Sequence, residues 1–279
     1  MLLVGEVSGE KHQIVEALIV FVTWMGWCGD DSGRWQIVEV DRIDNCISFR
    51  IVMKCYVGPE GKIEFLRTSE DIPLVVDVLR ASSTIIAVLF RGAEKVIPVE
   101  DQGEALLLGE KLGAITIGER HGVRIDGFDY GNSPTEMLNV DLRGKTVVMT
   151  TTNGTRVMVE GGVIASTLNA GVIADRIRGR SHAYLLASGA PLKSDEDRYA
   201  AELIERIEAE LVSGVGVESA VHAVSRSAEG IMLLEGIRNS SSGKKLVSFG
   251  FGRDIDLICT AINEYMVLPV YRSGSIRLW

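Results

Sequence analysis

The sequence has only four cysteines, Cys28, Cys46, Cys55 and Cys259, and no two of them form a CxxC pair or a zinc-ligand spacing. A structural zinc module is thereby excluded, and reduced, mostly buried thiols in a cytoplasmic protein are expected. There is no run of Lys and Arg with interleaved aromatics. The net charge is −9 and the pI is near 5.1, so binding to nucleic acid through a basic face is excluded. No apolar run is long enough for a bilayer: Ile14–Met25 is broken by Glu16 and falls short of the roughly 20 residues a spanning helix needs. The same stretch lacks the basic start and small-residue cleavage site of a signal peptide. There are four histidines, and His121 has no Ser or Cys partner in a recognisable triad. Asp77 is followed by Val78 and Leu79, so the Asp-x-Asp signature of aspartyl-phosphate phosphatases is missing. Gly250-Phe251-Gly252 has no further glycine to complete a dinucleotide loop, and no tandem repeat is present.

What is present is a β–α rhythm. Hydrophobic content of 46% with 24% charged residues suits a globular chain with a sizeable core. Residues 1–52 stand apart. They hold Trp24, Trp27 and Trp35 and little regular alternation, and are expected to be an extension, or upstream sequence before a true start at Met53. From Leu74 onward, strands are expected at Leu74–Leu79, Lys95–Val99, Ala114–Gly118, Thr146–Thr150, Val163–Ser166, His182–Ser188 and Val267–Tyr271. Helices are expected from Ser82 to Arg91, from Asp101 (with Glu104, a capping-box variant) to Leu112, at Ala170–Arg178, Asp195–Leu211, Glu218–Ile237 and Asp254–Glu264. Strands alternating with helices predict an α/β fold with a mainly parallel or mixed sheet covered on both faces, its site at the C-terminal ends of the strands. Residues 53–279 form this region, as one domain or as two subdomains meeting at a cleft.

Two segments share a layout. Val76–Thr84 and Thr150–Arg156 each pair an apolar strand with a cluster of hydroxyls and one arginine, followed by a helix-like stretch. Helix N-termini suit anions, and Arg suits bidentate recognition of phosphate or carboxylate. Arg80 and Arg156 are therefore candidate anion ligands, each alternatively pairing with a nearby surface acid. Ser82, Ser83 and Thr84 are candidate phosphate donors or helix caps. Asn153, Gly154 and Thr155 form either an anion-binding backbone nest or an ordinary turn. Asp77, read as lying within an apolar strand, is costly to bury unless paired or metal-bound, which favours a metal or general-base role. Asp195, Glu196 and Asp197 either favour the start of a helix or collect Mg²⁺. Glu119 and Arg120 leave a strand end toward the same rim as Arg80 and Arg156, and a long connection from Glu119 to Leu138 is of the length that carries function.

These residues resemble the 2-phosphosulfolactate phosphatases. The likeness runs from Leu74 to Tyr271 and rests on Val76–Thr84, Gly118–Arg120 with Gly127–Glu136, Thr150–Arg156, Glu196-Asp197 and Asp254–Tyr271, in that order. The resemblance implies a Mg²⁺-dependent hydrolysis of 2-phospho-3-sulfolactate to 3-sulfolactate and phosphate, an early step toward coenzyme M, by a cytoplasmic enzyme, either monomeric or a homo-oligomer. In that setting Asp77, Glu196 and Asp197 are expected to hold the metal. Arg80 and Arg156, with the Ser82–Thr84 and Asn153–Thr155 backbone, would stabilise charge, Glu119 would orient water, and Arg120 and Asn132 would hold the carboxylate or sulfonate. Loss of Arg80 to alanine is expected to cost much more activity than stability. A non-catalytic binder of phosphorylated or sulfonated acids, and a phosphotransferase or isomerase using a base such as His121, are the alternatives.

Overall fold

The computed structural model describes the backbone of residues 3–5, 28–29, 34–43, 46–187 and 195–279, and side chains from residue 53 onward within those ranges. The apolar stretch 14–25 and the segment at Gly189 lie outside the described residues.

The strands are β1 (Leu3–Gly5), β2 (Cys28–Gly29), β3 (Arg34–Ile43), β4 (Cys46–Val57), β5 (Ile72–Val76), β6 (Lys95–Pro98), β7 (Ile115–Arg120), β8 (Val123–Arg124), β9 (Thr146–Thr150), β10 (Val163–Ala165), β11 (His182–Leu186), β12 (Pro269–Arg272) and β13 (Ser275–Leu278). The helices are α1 (Gly58–Thr68), α2 (Ala81–Phe90), α3 (Gln102–Leu112), α4 (Pro134–Met137), α5 (Ala170–Ile177), α6 (Glu196–Val212), α7 (Val217–Arg226), α8 (Ala228–Asn239), α9 (Ser241–Ser248) and α10 (Gly252–Thr260).

The α/β expectation holds, and the sheet is mixed. Strands β4, β11, β5 and β10 form one parallel set, and β6, β9 and β7 form another. The C-terminal hairpin β12–β13 joins them through single residue pairs, Val163 with Val270 and Ile276 with Val96. From β10 to β6 there are three antiparallel steps, β10/β12, β12/β13 and β13/β6. The two parallel sets therefore run in opposite senses.

Alternation along the first set explains why its strands read as continuous apolar runs. Leu74 and Val76 of β5, Tyr184 and Leu186 of β11, and Cys55 and Val57 of β4 pack with Ile173, Ile204, Val221 and Leu233 from α5 to α8. The residues between them, Val75, Ala183, Leu185 and Tyr56, pack on the other face with Phe65 of α1 and Ile85 and Val88 of α2. Both faces are buried, so period-two side-chain direction leaves no polar stripe.

Several boundaries differ from expectation. Residues 52 and 53 fall within β4, which pairs antiparallel with β3 and through Cys55–Val57 with β11. The helix expected at Glu218–Ile237 is two helices, because Ser227 caps a new start by accepting the Gly230 N–H at 3.0 Å. The connection after Glu119 folds into β8 and α4, the latter capped by Ser133. Strand β5 ends at Val76, so Asp77 is the first residue beyond it. Among the described residues no helix is long and apolar enough to cross a membrane.

Candidate active site

The ends of the two parallel sets meet at a cleft of about 240 Å³, lined among others by Asp77, Arg80, Glu119, Asn132, Thr152 and Asn153. Asp77 and Arg80 follow β5, Glu119 closes β7, and Thr152 and Asn153 follow β9.

Asp77 sits at the turn into α2. Its Oδ1 accepts the Ala81 N–H at 3.2 Å, while its own N–H is held by Ser82 Oγ at 2.9 Å. Arg80 stands at the N-cap position, and the Asp77 carboxylate, not the Ser82 hydroxyl, takes the first helical N–H. Burial pushes the Asp77 carboxyl up to about 7, and the negative charges of Glu119 and Glu196 push the same way against the Ala81 N–H and Arg80. Gly154 permits this packing. A Cβ there would lie 2.6 Å from Asp77 Oδ2 and 2.6 Å from the Ala81 Cβ, so the second loop presses directly on the first.

Arg80 is buried and its guanidinium is fully organised. Nη1 donates to Asp254 Oδ2 at 2.7 Å, Nη2 to the Gly122 carbonyl at 3.3 Å, and the Phe251 ring lies beneath, 4.0 Å from Cζ to centroid. Asp254, from α10, also accepts from Ser133 Oγ at 2.7 Å, from the Thr135 N–H at 3.1 Å and from Thr135 Oγ1. Sequence reasoning missed Asp254 as a site residue, although Gly127–Glu136 and Asp254–Tyr271 were both recognised as motifs. These two motifs meet at this one carboxylate.

Glu119 is held just as firmly. Oε1 accepts the Thr152 N–H at 2.7 Å, and Oε2 accepts the Gly122 N–H at 2.6 Å and Thr152 Oγ1 at 3.2 Å. Asn132 is buried in the cleft wall, and its Oδ1 has no hydrogen-bond partner among the described residues. Helix α9, which the sequence reading left unassigned, closes one side of the cleft with Ser242, Lys245 and Leu246, followed by Phe249.

Other predicted site residues lie elsewhere. Ser82, Ser83 and Thr84 are fully buried, because α2 runs through the interior with its first turn covered. Ser82 Oγ bonds the Val75 carbonyl, and Ser83 Oγ bonds the Val78 carbonyl and Ser166 Oγ. They brace the turn rather than face the cleft. Thr155 is turned inward onto Thr151, and the Arg156 N–H is taken by the Asn153 carbonyl. The Arg120 guanidinium serves the carbonyls of Glu119 and Glu100 and Thr150 Oγ1. The Arg156 side chain is 52% exposed, its Nε 4.0 Å from Glu100 Oε2, and it is not part of the lining.

The three proposed metal ligands are also divided. Asp197 is buried and its Oδ1 accepts the Val78 N–H at 2.8 Å, fixing the loop after β5. Glu196 is buried at the start of α6 and acts on Asp77 through its charge. Among the described residues no three His, Cys, Asp or Glu side chains are gathered closely enough to hold a metal by themselves.

The sequence profile of the 2-phosphosulpholactate phosphatase family matches residues 61–274. A protein of Thermotoga petrophila named "Probable 2-phosphosulfolactate phosphatase" is 34% identical over 213 residues, covering 74% of this chain and 91% of the relative. Proteins of the same name from Carboxydothermus hydrogenoformans and Thermoplasma acidophilum are 35% and 31% identical. Each covers 74% of this chain, with 89% and 88% of the relatives' own length. A profile match that spans both banks of the cleft, together with relatives covered almost end to end, shows that this chain belongs to the 2-phosphosulfolactate phosphatase family, a family of phosphoric monoester hydrolases.

Proposed function

We propose that the protein hydrolyses 2-phospho-3-sulfolactate to 3-sulfolactate and phosphate, with Mg²⁺, in the cytoplasm, as a step toward coenzyme M. The observation that carries this reading is the convergence of Asp77, Arg80 and Glu119 on one cleft from opposed strand ends. A phosphate ester needs a cation to bind it, a positive group beside its oxygens and a base to direct water, and these three side chains supply the means for each.

The site fits Mg²⁺ in a form narrower than the sequence suggested. Magnesium is commonly held by one or two carboxylates together with substrate phosphate, so a three-carboxylate cage is unnecessary. Asp77 is the carboxylate best suited to hold it, since the charges of Glu119 and Glu196 already disfavour a bare anion there. When bound, Mg²⁺ polarises a phosphate oxygen as a Lewis acid. Arg80, fixed by Asp254, neutralises charge that builds on the transferring group. Glu119, its orientation set by Thr152 and Gly122, accepts a proton from water. The water oxygen bonds to phosphorus as the ester P–O bond breaks, the departing alkoxide takes a proton from solvent to give the hydroxyl of 3-sulfolactate, and Glu119 returns its proton to solvent.

Phosphate release from 2-phosphosulfolactate, assayed with Mg²⁺ and with EDTA, tests this. Release that requires Mg²⁺ is expected. Binding of the ester without release would instead favour a non-catalytic binder.

A further inference from the structure

The cleft has a charge problem that points to a residue so far without a role. Its wall carries two carboxylates, Asp77 and Glu119. Its buried cation, Arg80, is already matched by Asp254 at 2.7 Å. Arg120 is occupied by carbonyls, and Arg156 lies outside the lining. Yet a phosphate ester that carries further acid groups must be drawn in against those carboxylates. Lys245 of α9 is a lining cation whose Nζ makes no ion pair among the described residues; it rests 5.6 Å from the centroid of the Phe249 ring.

Helix α9 is docked on the loop that organises the chemistry. Gly122, whose N–H holds Glu119 and whose carbonyl receives Arg80, has φ +92° and a hypothetical Cβ only 3.3 Å from the Phe249 ring and 3.8 Å from Leu246. Lys245 thus immediately precedes Leu246, the first of the two residues that dock the helix on that loop. Asn132 in the same wall is buried with an amide oxygen that has no partner among the described residues, and a buried polar atom of that kind signals a ligand or water that completes it.

We propose that Lys245 binds the substrate's acid group remote from phosphorus, the sulfonate of 2-phospho-3-sulfolactate, and that α9 thereby sets the preference for sulfonated over simple phosphate esters. This inference rests on the phosphatase reading of the same cleft. Lys245 is a specificity residue, separate from the groups that act on phosphorus.

The test compares 2-phosphosulfolactate with 2-phospholactate, which has a methyl hydrogen where the sulfonate stands. Lys245→Ala is expected to raise KM for the sulfonated ester by about tenfold or more, the loss of one charge-assisted contact. KM for 2-phospholactate and both kcat values should stay within about threefold. Lys245→Arg should recover most of the affinity, and Lys245→Glu should lose more than alanine does. Equal KM changes for both esters, or none, would overturn the proposal. If the wild-type protein releases phosphate from neither ester, the phosphatase reading fails on its own. Titration calorimetry with 3-sulfolactate then decides: about tenfold weaker binding to Lys245→Ala supports the role of Lys245, while equal or absent binding overturns it.

Discussion

Two turns that read alike in sequence end in different places. Each follows a buried parallel strand with hydroxyls and an arginine. After β5, Arg80 turns inward to a side chain 2% exposed; after β9, Arg156 turns outward to one 52% exposed. The difference lies in what each meets. Arg80 faces Asp254, a carboxylate delivered from α10 more than 170 residues along the chain. Among the described residues, the Arg156 side chain pairs with Glu100 at the rim, 4.0 Å away and itself exposed. A strand–hydroxyl–arginine layout therefore marks a strand end at the site, while a distant acid decides whether the arginine belongs to it.

The largest effect should come from Asp77. In the proposed reaction Asp77→Asn is expected to lower kcat/KM by roughly a thousandfold or more, measured by phosphate release. The same variant should not be less stable. The folded carboxyl titrates near 7, above its ordinary 3.8, so the folded state holds the proton more tightly, and metal-free wild type loses stability as pH rises from about 4 through 7. The Tm of Asp77→Asn minus that of wild type, measured in EDTA, should be near zero at pH 4 and rise to roughly 2–5 °C by pH 8. A difference that shrinks with rising pH would contradict the burial cause.

Next is Arg80. The sequence-based expectation that alanine here costs activity far more than stability does not survive the ion pair. Removing one partner of a buried pair destabilises by about 3–5 kcal/mol, so Arg80→Ala should lose much of its fold along with its activity. Arg80→Lys keeps the charge but not the fork, and should retain the fold at about a hundredfold lower kcat/KM. Urea unfolding beside the kinetic assay separates the two.

Gly154→Ala joins the two turns. Its methyl would press on Asp77 Oδ2 and the Ala81 Cβ, and overpacking of this kind costs about 1–3 kcal/mol. Activity should fall by about tenfold, with the fold intact by circular dichroism. The smallest effect is expected from Arg156→Ala: a kcat/KM within about threefold of wild type and a stability change below about 0.5 kcal/mol. A loss matching that of Arg80→Lys would show that the second arginine swings into the cleft.

An ion pair remote from both turns serves as a control. Burial pulls His182 down, but the hydrogen bond and charge of Glu205, 2.6 Å away, outweigh this and leave it raised. A raised histidine contributes stability that is full below about pH 6.5 and lost as pH rises through its folded value. His182→Gln should therefore lower Tm at pH 5.5, match wild type at high pH, and leave kcat/KM unchanged throughout.

The core strands were legible because each is buried on both faces and so reads as an unbroken apolar run; Thr146–Thr150 was placed to the residue. Glu119 was legible as an acid at a strand end, whereas Asp77 was legible as an acid but read inside its strand, which in fact ends one residue earlier, at Val76. Asp254 was not, since an acid near the start of a helix looks like ordinary dipole chemistry until the fold brings Arg80, Ser133 and Thr135 to it. Helix α9 escaped because Ser241–Ser248 is short, with two adjacent lysines and no clear apolar stripe. The Ser82–Thr84 hydroxyls misled because a helix start is assumed to face water, and α2 is interior along nearly its whole length.

The reversal of strand direction across the C-terminal hairpin also bears on stereochemistry. Displacement at phosphorus places the entering and leaving oxygens on opposite sides of the atom. A single parallel sheet would offer its loops from one side. Here Asp77 and Arg80 approach from the end of one strand set, and Glu119, Thr152 and Asn153 from the end of the opposing set. In the proposed reaction, a tetrahedral centre held between them would have a separate bank for the water and for the departing alkoxide, as direct displacement with inversion at phosphorus requires.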